Sequence, residues 1–366
     1  MQKFSAFLAI LLFFSTIPGV AQRPPGPPPN GARPPGGGSG GAPPAREHTA
    51  TESEELDLVE ANRRPPAKSK INVDEDDETV QIEANGIPEH EVGRFPNRGN
   101  PHEITEQGYD IVLPANPEPA PSITYLHTGP GQPAPRPIQF GITLDGVIIQ
   151  PDTAEFWMGD REKNWNYEAL GGAVALGLDT NYAHVQPTGM YHYHGIPTGL
   201  MRRLGFTKGK HSPLVGWAAD GFPIYALYGY SDPTVAAGEA VELKSSYALK
   251  AGDRPGNPEG PGGDYDGTFV QDYEYVPGSG DLDECNGRFC VTPEFPDGTY
   301  AYFMTKDWPV IPRAFKGTPV KLVEKMQGPG GPEEEGRPRR RPGDGPPPFG
   351  KGGKGGKGGK GGPPPR

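Results

Sequence analysis

Cysteine and apolar residues are both scarce in this chain. Only Cys285 and Cys290 occur among 366 residues, and a third of the sequence is hydrophobic. Two cysteines cannot close a structural zinc site, which takes four ligands. In an exported chain, two cysteines separated by four residues are expected to bridge, so a Cys285–Cys290 disulfide is predicted. Beyond the first 21 residues no apolar run is long enough to span a bilayer. Residues 71–326 contain no Gly-x-Ser-x-Gly elbow, phosphate-binding loop, dinucleotide fingerprint or His-Glu-x-x-His helix, which removes the chemistries those motifs serve. No repeat of 20–50 residues is present.

Positive charge is outnumbered in the middle of the chain. Arg337–Arg366 carries nine Lys/Arg against one Asp, and Gln22–Lys70 is close to neutral. With a total of −11, Ile71–Gly336 is left at −21. Nucleic-acid binding needs a basic footprint, so an acidic domain of this size argues against it and favours tolerance of cations.

What is abundant is glycine and proline, 55 and 48 residues, concentrated at the two ends. Lys3, the apolar run Phe4–Phe14 and the small residues Gly19 and Ala21 form a signal-peptide pattern over residues 1–21. The expected location is therefore secreted, periplasmic or in the cell envelope. Residues 22–70 read as a disordered Pro/Gly-rich linker. Residues 327–366, with Arg339-Arg340-Arg341 and a Lys-Gly-Gly repeat from Lys351, read as a disordered basic tail, either a solvated tether or an attachment to anionic surface polymer. Residues 71–326 are left as one domain. Its candidate strands are short and many: Val80–Ala84, Tyr109–Leu113, Ile123–His127, Ile138–Leu144, Val147–Ile149, Phe222–Tyr228, Val270–Val276, Thr299–Thr305 and Val320–Glu324. Asp145-Gly146 marks a hairpin, and Asn166–Leu178 is the best helix candidate. The predicted fold is mainly β, a single sandwich or distorted barrel with long loops.

Histidines are few, eight in all, yet His184, His192 and His194 fall within eleven residues. Pro187-Thr188-Gly189 between them fits a three-residue hairpin loop. That loop pairs Gln186 with Met190, Val185 with Tyr191, His184 with His192 and Tyr182 with His194. Strand alternation then places the three histidines on one face and Ala183, Val185, Tyr191 and Tyr193 on the other. A one-residue slip would break the cluster. Three imidazoles and an open position suit catalytic zinc, and imidazole also suits copper. The plainer alternative is three histidines hydrogen-bonded to the backbone and Asp179. Asp220 is read either as a turn cap or as a general base or partner that orients a histidine. Glu155 and Trp157 could reach the site, whereas His211 is expected at the surface. Asp281, Asp283, Glu284 and Asn286 could hold calcium, though without the spacing of an EF-hand loop; a solvated acidic loop is the alternative.

Tyr191-His192-Tyr193-His194 resembles the YHYH-domain family of exported proteins. The likeness extends to Leu178-Asp179, Ala183–Gly189, Gly195 and Pro197–Leu200. It continues through Gly216–Tyr225, Asp281–Arg288, Pro296–Tyr300 and Ile311-Pro312-Arg313. The family name describes a motif and implies no reaction. A slighter resemblance, to multicopper oxidases, rests on His192–Gly195; this chain has a single His-x-His and no Cys-His run, so the full oxidase chemistry is not implied. Two functions remain. One is an exported metal-dependent hydrolase or oxidase, zinc implying the first and copper the second. The other is a non-catalytic binding module of the envelope, its His–Tyr face contacting a small molecule, a glycan or an envelope partner.

Overall fold

Val80, Ile82 and Ala84 alternate with more exposed residues along Thr79–Ala84, as do Tyr109, Ile111 and Leu113 along Tyr109–Pro114. Such period-two patterning makes one sheet face apolar and the other wet. In the computed structural model, which describes residues 48–129, 139–235 and 238–323, these strands and Ile71–Glu75 form a three-stranded antiparallel sheet. Its apolar face shares one core with a larger, mixed sheet of eight strands. The spatial order of the larger sheet is Gly287–Cys290, Thr299–Met304, Pro223–Ala226, Gly216–Ala218, Gly141–Thr143, Ile148–Ile149, Tyr191–Tyr193, Ala183–Val185. Two of its pairings are parallel, Pro223–Ala226 with Thr299–Met304 and Ile148–Ile149 with Tyr191–Tyr193. The molecule is thus mainly β, with sheet packed on sheet.

The core between the sheets joins Val80, Ile82, Ile111 and Leu113 to Ile142, Ile224, Tyr302 and Met304. Each such side chain contributes about 1.5–3 kcal/mol on burial. The Asp145-Gly146 turn forms as expected, with Gly146 at φ +76° and Thr143 N–H donating to Val147 O at 2.9 Å. A β-carbon on Gly146 would lie 2.6 Å from the Ala84 methyl, so the turn is pressed against the smaller sheet.

Tyr225, Ala301 and Phe303 alternate with Ile224, Tyr300 and Tyr302, and they build a second apolar cluster with Leu243, Leu282 and Cys290. This separation corrects the expected disulfide. Cys285 packs in the main core and Cys290 in the second cluster, and both are buried free thiols. The short segment between them carries the chain from one cluster to the other, so closeness in sequence does not bring the sulfurs together. Burial pushes the Cys285 thiol up to about 12.

Three other expectations change. Asn166–Leu178 is not helical: Gly172 and Gly177 take φ of +75° and +64°, which an α-helix cannot accommodate. Among the described residues the one α-helix is Thr198–Arg203. Val320–Val323 forms no strand. Residues 48–70, read as linker, run along the domain instead. Val59 N–H donates to Leu178 O at 2.8 Å and Arg63 N–H to Val92 O at 2.9 Å, while Leu56 and Leu58 pack on Ala169, Leu176 and Leu178. The apolar residues of Leu56-Asp57-Leu58-Val59 explain that docking. The signal-peptide pattern, residues 22–47 of the linker and the 327–366 tail lie outside the described residues. Among those described, no helix is long and apolar enough to cross a membrane.

Candidate metal centre

The hairpin forms in the expected register. His184 pairs with His192 and Val185 with Tyr191, Gln186 N–H donates to Met190 O at 2.9 Å, and His194 N–H donates to Tyr182 O at 2.7 Å. Gly189 closes the turn at φ +84°, its N–H donating to Gln186 O at 2.8 Å. The strand Tyr191–Tyr193 is held on its other side by Ile148–Ile149, so the hairpin ends the large sheet and its position is fixed by backbone pairing.

Alternation sends the tyrosines to the main core. Tyr191 OH donates to Asp179 Oδ2 at 2.8 Å, and Tyr193 OH lies 2.5 Å from His90 Nε2 and 3.3 Å from Asp145 Oδ2. His90 Nδ1 lies 2.7 Å from Glu91 O, and the Tyr193 hydroxyl donates to Asp145 Oδ2. Burial raises the carboxyls of Asp145 and Asp179 against these hydrogen bonds and raises both tyrosine hydroxyls well above their ordinary range. The tyrosines therefore act as neutral anchors bolting the strand to the core.

The histidines meet on the opposite side. Ring centroids are 4.7 Å apart for His184–His192, 4.8 Å for His184–His194 and 4.7 Å for His192–His194. His192 Nε2 is 3.0 Å from His194 Nε2, which is 3.1 Å from His184 Nε2. His192 and His194 are 1% and 2% exposed, and His184 is half-buried, so the cluster opens on the His184 side. The face is more deeply covered than a surface hairpin would be.

The tautomers follow from the partners. His184 Nδ1 donates to Leu176 O at 2.8 Å and His192 Nδ1 to Met190 O at 3.2 Å. Both rings then turn a bare Nε2 lone pair inward. His194 Nδ1 is buried with no partner of good hydrogen-bond geometry, although the nearby Pro151 carbonyl favours its proton. A proton on His194 Nε2 could satisfy one of its two contacts; a cation among the three nitrogens satisfies both. Two nitrogens each about 2.05 Å from a tetrahedral ion lie roughly 3.3 Å apart, close to the spacing observed. The donor set therefore fits a small transition-metal ion. Burial lowers the His184 imidazole to about 4, with a small further push from His102, and holds His192 and His194 well below their usual value. All three are neutral at pH 7, as ligating imidazoles must be.

Residues far away in sequence build the walls. Asn100 Nδ2 donates to Val185 O at 2.8 Å and lies 3.3 Å from His184 Nδ1. Arg313 binds the Pro151 carbonyl at 3.1 Å, Asp152 Oδ1 at 3.0 Å and Glu168 at 2.9 and 2.7 Å, fixing the segment that faces His194. Sequence reasoning did not assign Asn100, Leu176 or Pro151 to the site, and Arg313 was visible only as part of a motif.

The other candidates lie elsewhere. Asp220 accepts Tyr302 OH at 2.5 Å and Gly317 N–H at 2.8 Å, and it makes no bond to a histidine. Its buried carboxyl is raised and ties the sheet to the 315–317 segment. Asp179 likewise serves Tyr191 and the Gly93 N–H at 2.8 Å. Trp157 belongs to a separate aromatic cluster with Trp165, Tyr167 and Phe269. His211 is half-buried against Tyr225 and Tyr230. Asp281 caps the Lys244 N–H at 2.7 Å, while Asp283 accepts Cys285 N–H at 2.9 Å and Tyr300 OH at 2.8 Å. These acids are used as loop fasteners. Among the described residues, the three histidines are the one group of three or more His, Cys, Asp or Glu arranged to share an ion.

A family model described as YHYH protein matches residues 110–317. The chain belongs to the YHYH family. The matched span contains all three histidines, both anchoring tyrosines and Arg313, and the signature acquires a physical meaning here: histidines to the site, tyrosines to the core. His90, Asn100 and the docked 48–70 segment lie before the matched span. No curated protein matches the chain, and no solved structure matches it.

Proposed function

We propose that this YHYH protein is an exported metal-binding protein, with His184, His192 and His194 as the ligands of one zinc or copper ion. The observation that carries this reading is the convergence of the imidazole Nε2 atoms at 3.0 and 3.1 Å, with two of the three Nδ1 atoms committed to carbonyls. The proposal extends to catalysis. Zinc would supply a Lewis acid for hydrolysis and copper a redox centre for oxidation. The chain's own part is positional. Leu176 O and Met190 O hold the rings of His184 and His192, burial keeps the three imidazoles unprotonated, and Arg313 fixes the wall beside His194.

The test is metal analysis of the purified full chain beside His192→Ala. The expected result is about one zinc or copper per wild-type chain, as three ligands to one ion require. The variant should retain less than a tenth of that with an unchanged far-ultraviolet spectrum. Equal metal in both would refute the site. A second reading, a non-catalytic envelope module, draws on the Pro/Gly-rich ends and the Lys-Gly-Gly repeat. Loaded protein that turns over no ester, phosphoester or phenol substrate, yet binds envelope glycan, would favour it.

A further inference from the structure

A second candidate site lies outside the histidine cluster. Arg63, Arg64, Pro66, Val92, Gly93, Arg94, Phe95, Glu103 and Ile104 enclose a groove of about 330 Å³, at the small end of the range for ligand pockets. Its construction is specific. The Arg63–Val92 backbone bridge, with bonds of 2.9 and 2.8 Å, brings the first arginine pair beside the third. Gly93 is clamped by its N–H bond to Asp179 Oδ2 at 2.8 Å, and a β-carbon there would come within 2.5 Å of Asp179 Cβ. Phe95 packs edge-on against Tyr191 at 6.0 Å. The floor is thus rigid and apolar, with buried Val92 and Ile104, while the rim carries three exposed guanidinium groups.

The charges are only partly compensated. Arg203, Arg254 and Arg313 each pair with a carboxylate. Arg63, Arg64 and Arg94 make no side-chain hydrogen bond or ion pair among the described residues. Glu103 is the single acid lining the groove, which leaves an excess of two positive charges beside a strongly acidic domain. Guanidinium forks match carboxylate, sulfate and phosphate oxygens in pairs, and an apolar floor suits an attached carbon skeleton.

We propose that this groove binds a small organic oxyanion, its charged group held by Arg63, Arg64 and Arg94 and its carbon skeleton lying on Val92, Phe95 and Ile104. The site uses none of the three histidines and stands independently of the metal reading.

Calorimetric titration of the full chain at low ionic strength tests it, with benzoate, benzenesulfonate and phenylphosphonate as probes and benzamide as the neutral control. At least one anion should bind at a single site, and benzamide should not. The Arg63→Gln/Arg64→Gln/Arg94→Gln variant should bind that anion at least tenfold more weakly with unchanged thermal stability, because all three side chains are exposed. Replacing Lys351, Lys354, Lys357 and Lys360 by Gln should change affinity less than twofold. Which anion binds most tightly identifies the oxyanion as carboxylate, sulfonate-like or phosphonate-like. The proposal is overturned by no single-site binding of any anion, by equal binding of benzamide, by undiminished binding in the arginine variant, or by loss of binding in the lysine variant.

Discussion

His184 is the one residue of the cluster that faces the opening, and its titration reports on the metal-free site. Burial holds its imidazole at about 4, below the ordinary 6.5. Between those values the unfolded chain takes up a proton that the folded chain refuses. Its contribution to stability is therefore intact above pH 6.5 and is lost as pH falls toward 4. The slope from one such group is at most about 1.4 kcal/mol per pH unit. His192 and His194 act in the same direction. Urea unfolding of metal-free wild type and His184→Asn across that window should show the steeper loss in wild type; equal slopes would mean that His184 is not held neutral by burial. At this scale the sequence was informative where chemistry is local. His184, His192 and His194 are legible because the alternation of one short hairpin orients them. Asp220 was not, because Tyr302 and Gly317, which claim its carboxylate, are 82 and 97 residues away.

The hairpin is the element that creates the site, and Gly189 is its most constrained position. Its φ is +84°, and a β-carbon would lie 1.9 Å from Thr105 Oγ1 and 2.9 Å from Thr105 Cβ. Gly189→Val is expected to cost about 1–3 kcal/mol through backbone strain alone, with the overlap against Thr105 adding to it. It should also lower metal content although no ligand has changed, since any shift of register turns His184 away from His192. Thermal unfolding with metal analysis checks both, and full metal content in a correctly folded variant would contradict the register argument. The Pro187-Thr188-Gly189 loop was readable because turn chemistry is set by adjacent residues. Asn166–Leu178, the best helix candidate in the sequence, carries three glycines and forms no helix. In the folded chain a β-carbon on Gly172 would sit 2.0 Å from Glu54 O, a constraint from a segment over a hundred residues earlier.

Across the whole molecule, the site depends on long-range packing. The 48–70 segment covers the stretch that presents Leu176 O to His184: Leu56 and Leu58 pack on Ala169, Leu176 and Leu178, and Glu54 N–H donates to Gly171 O at 3.0 Å. Leu56→Ala/Leu58→Ala is expected to destabilise by about 1–3 kcal/mol, below full core values because both leucines are half-buried. It should also speed metal loss to a chelator. An unchanged chelation rate in a destabilised protein would separate the covering segment from the site. The central claim is that three histidines on one sheet edge hold one metal ion, and the most direct measurement is anomalous diffraction from crystals of the full chain, recorded at the edge of the metal it carries when isolated. The account predicts one peak within bonding distance of the Nε2 atoms of His184, His192 and His194, about 2.0–2.1 Å if the metal is zinc. A metal peak elsewhere, with none among the three imidazoles, would contradict it.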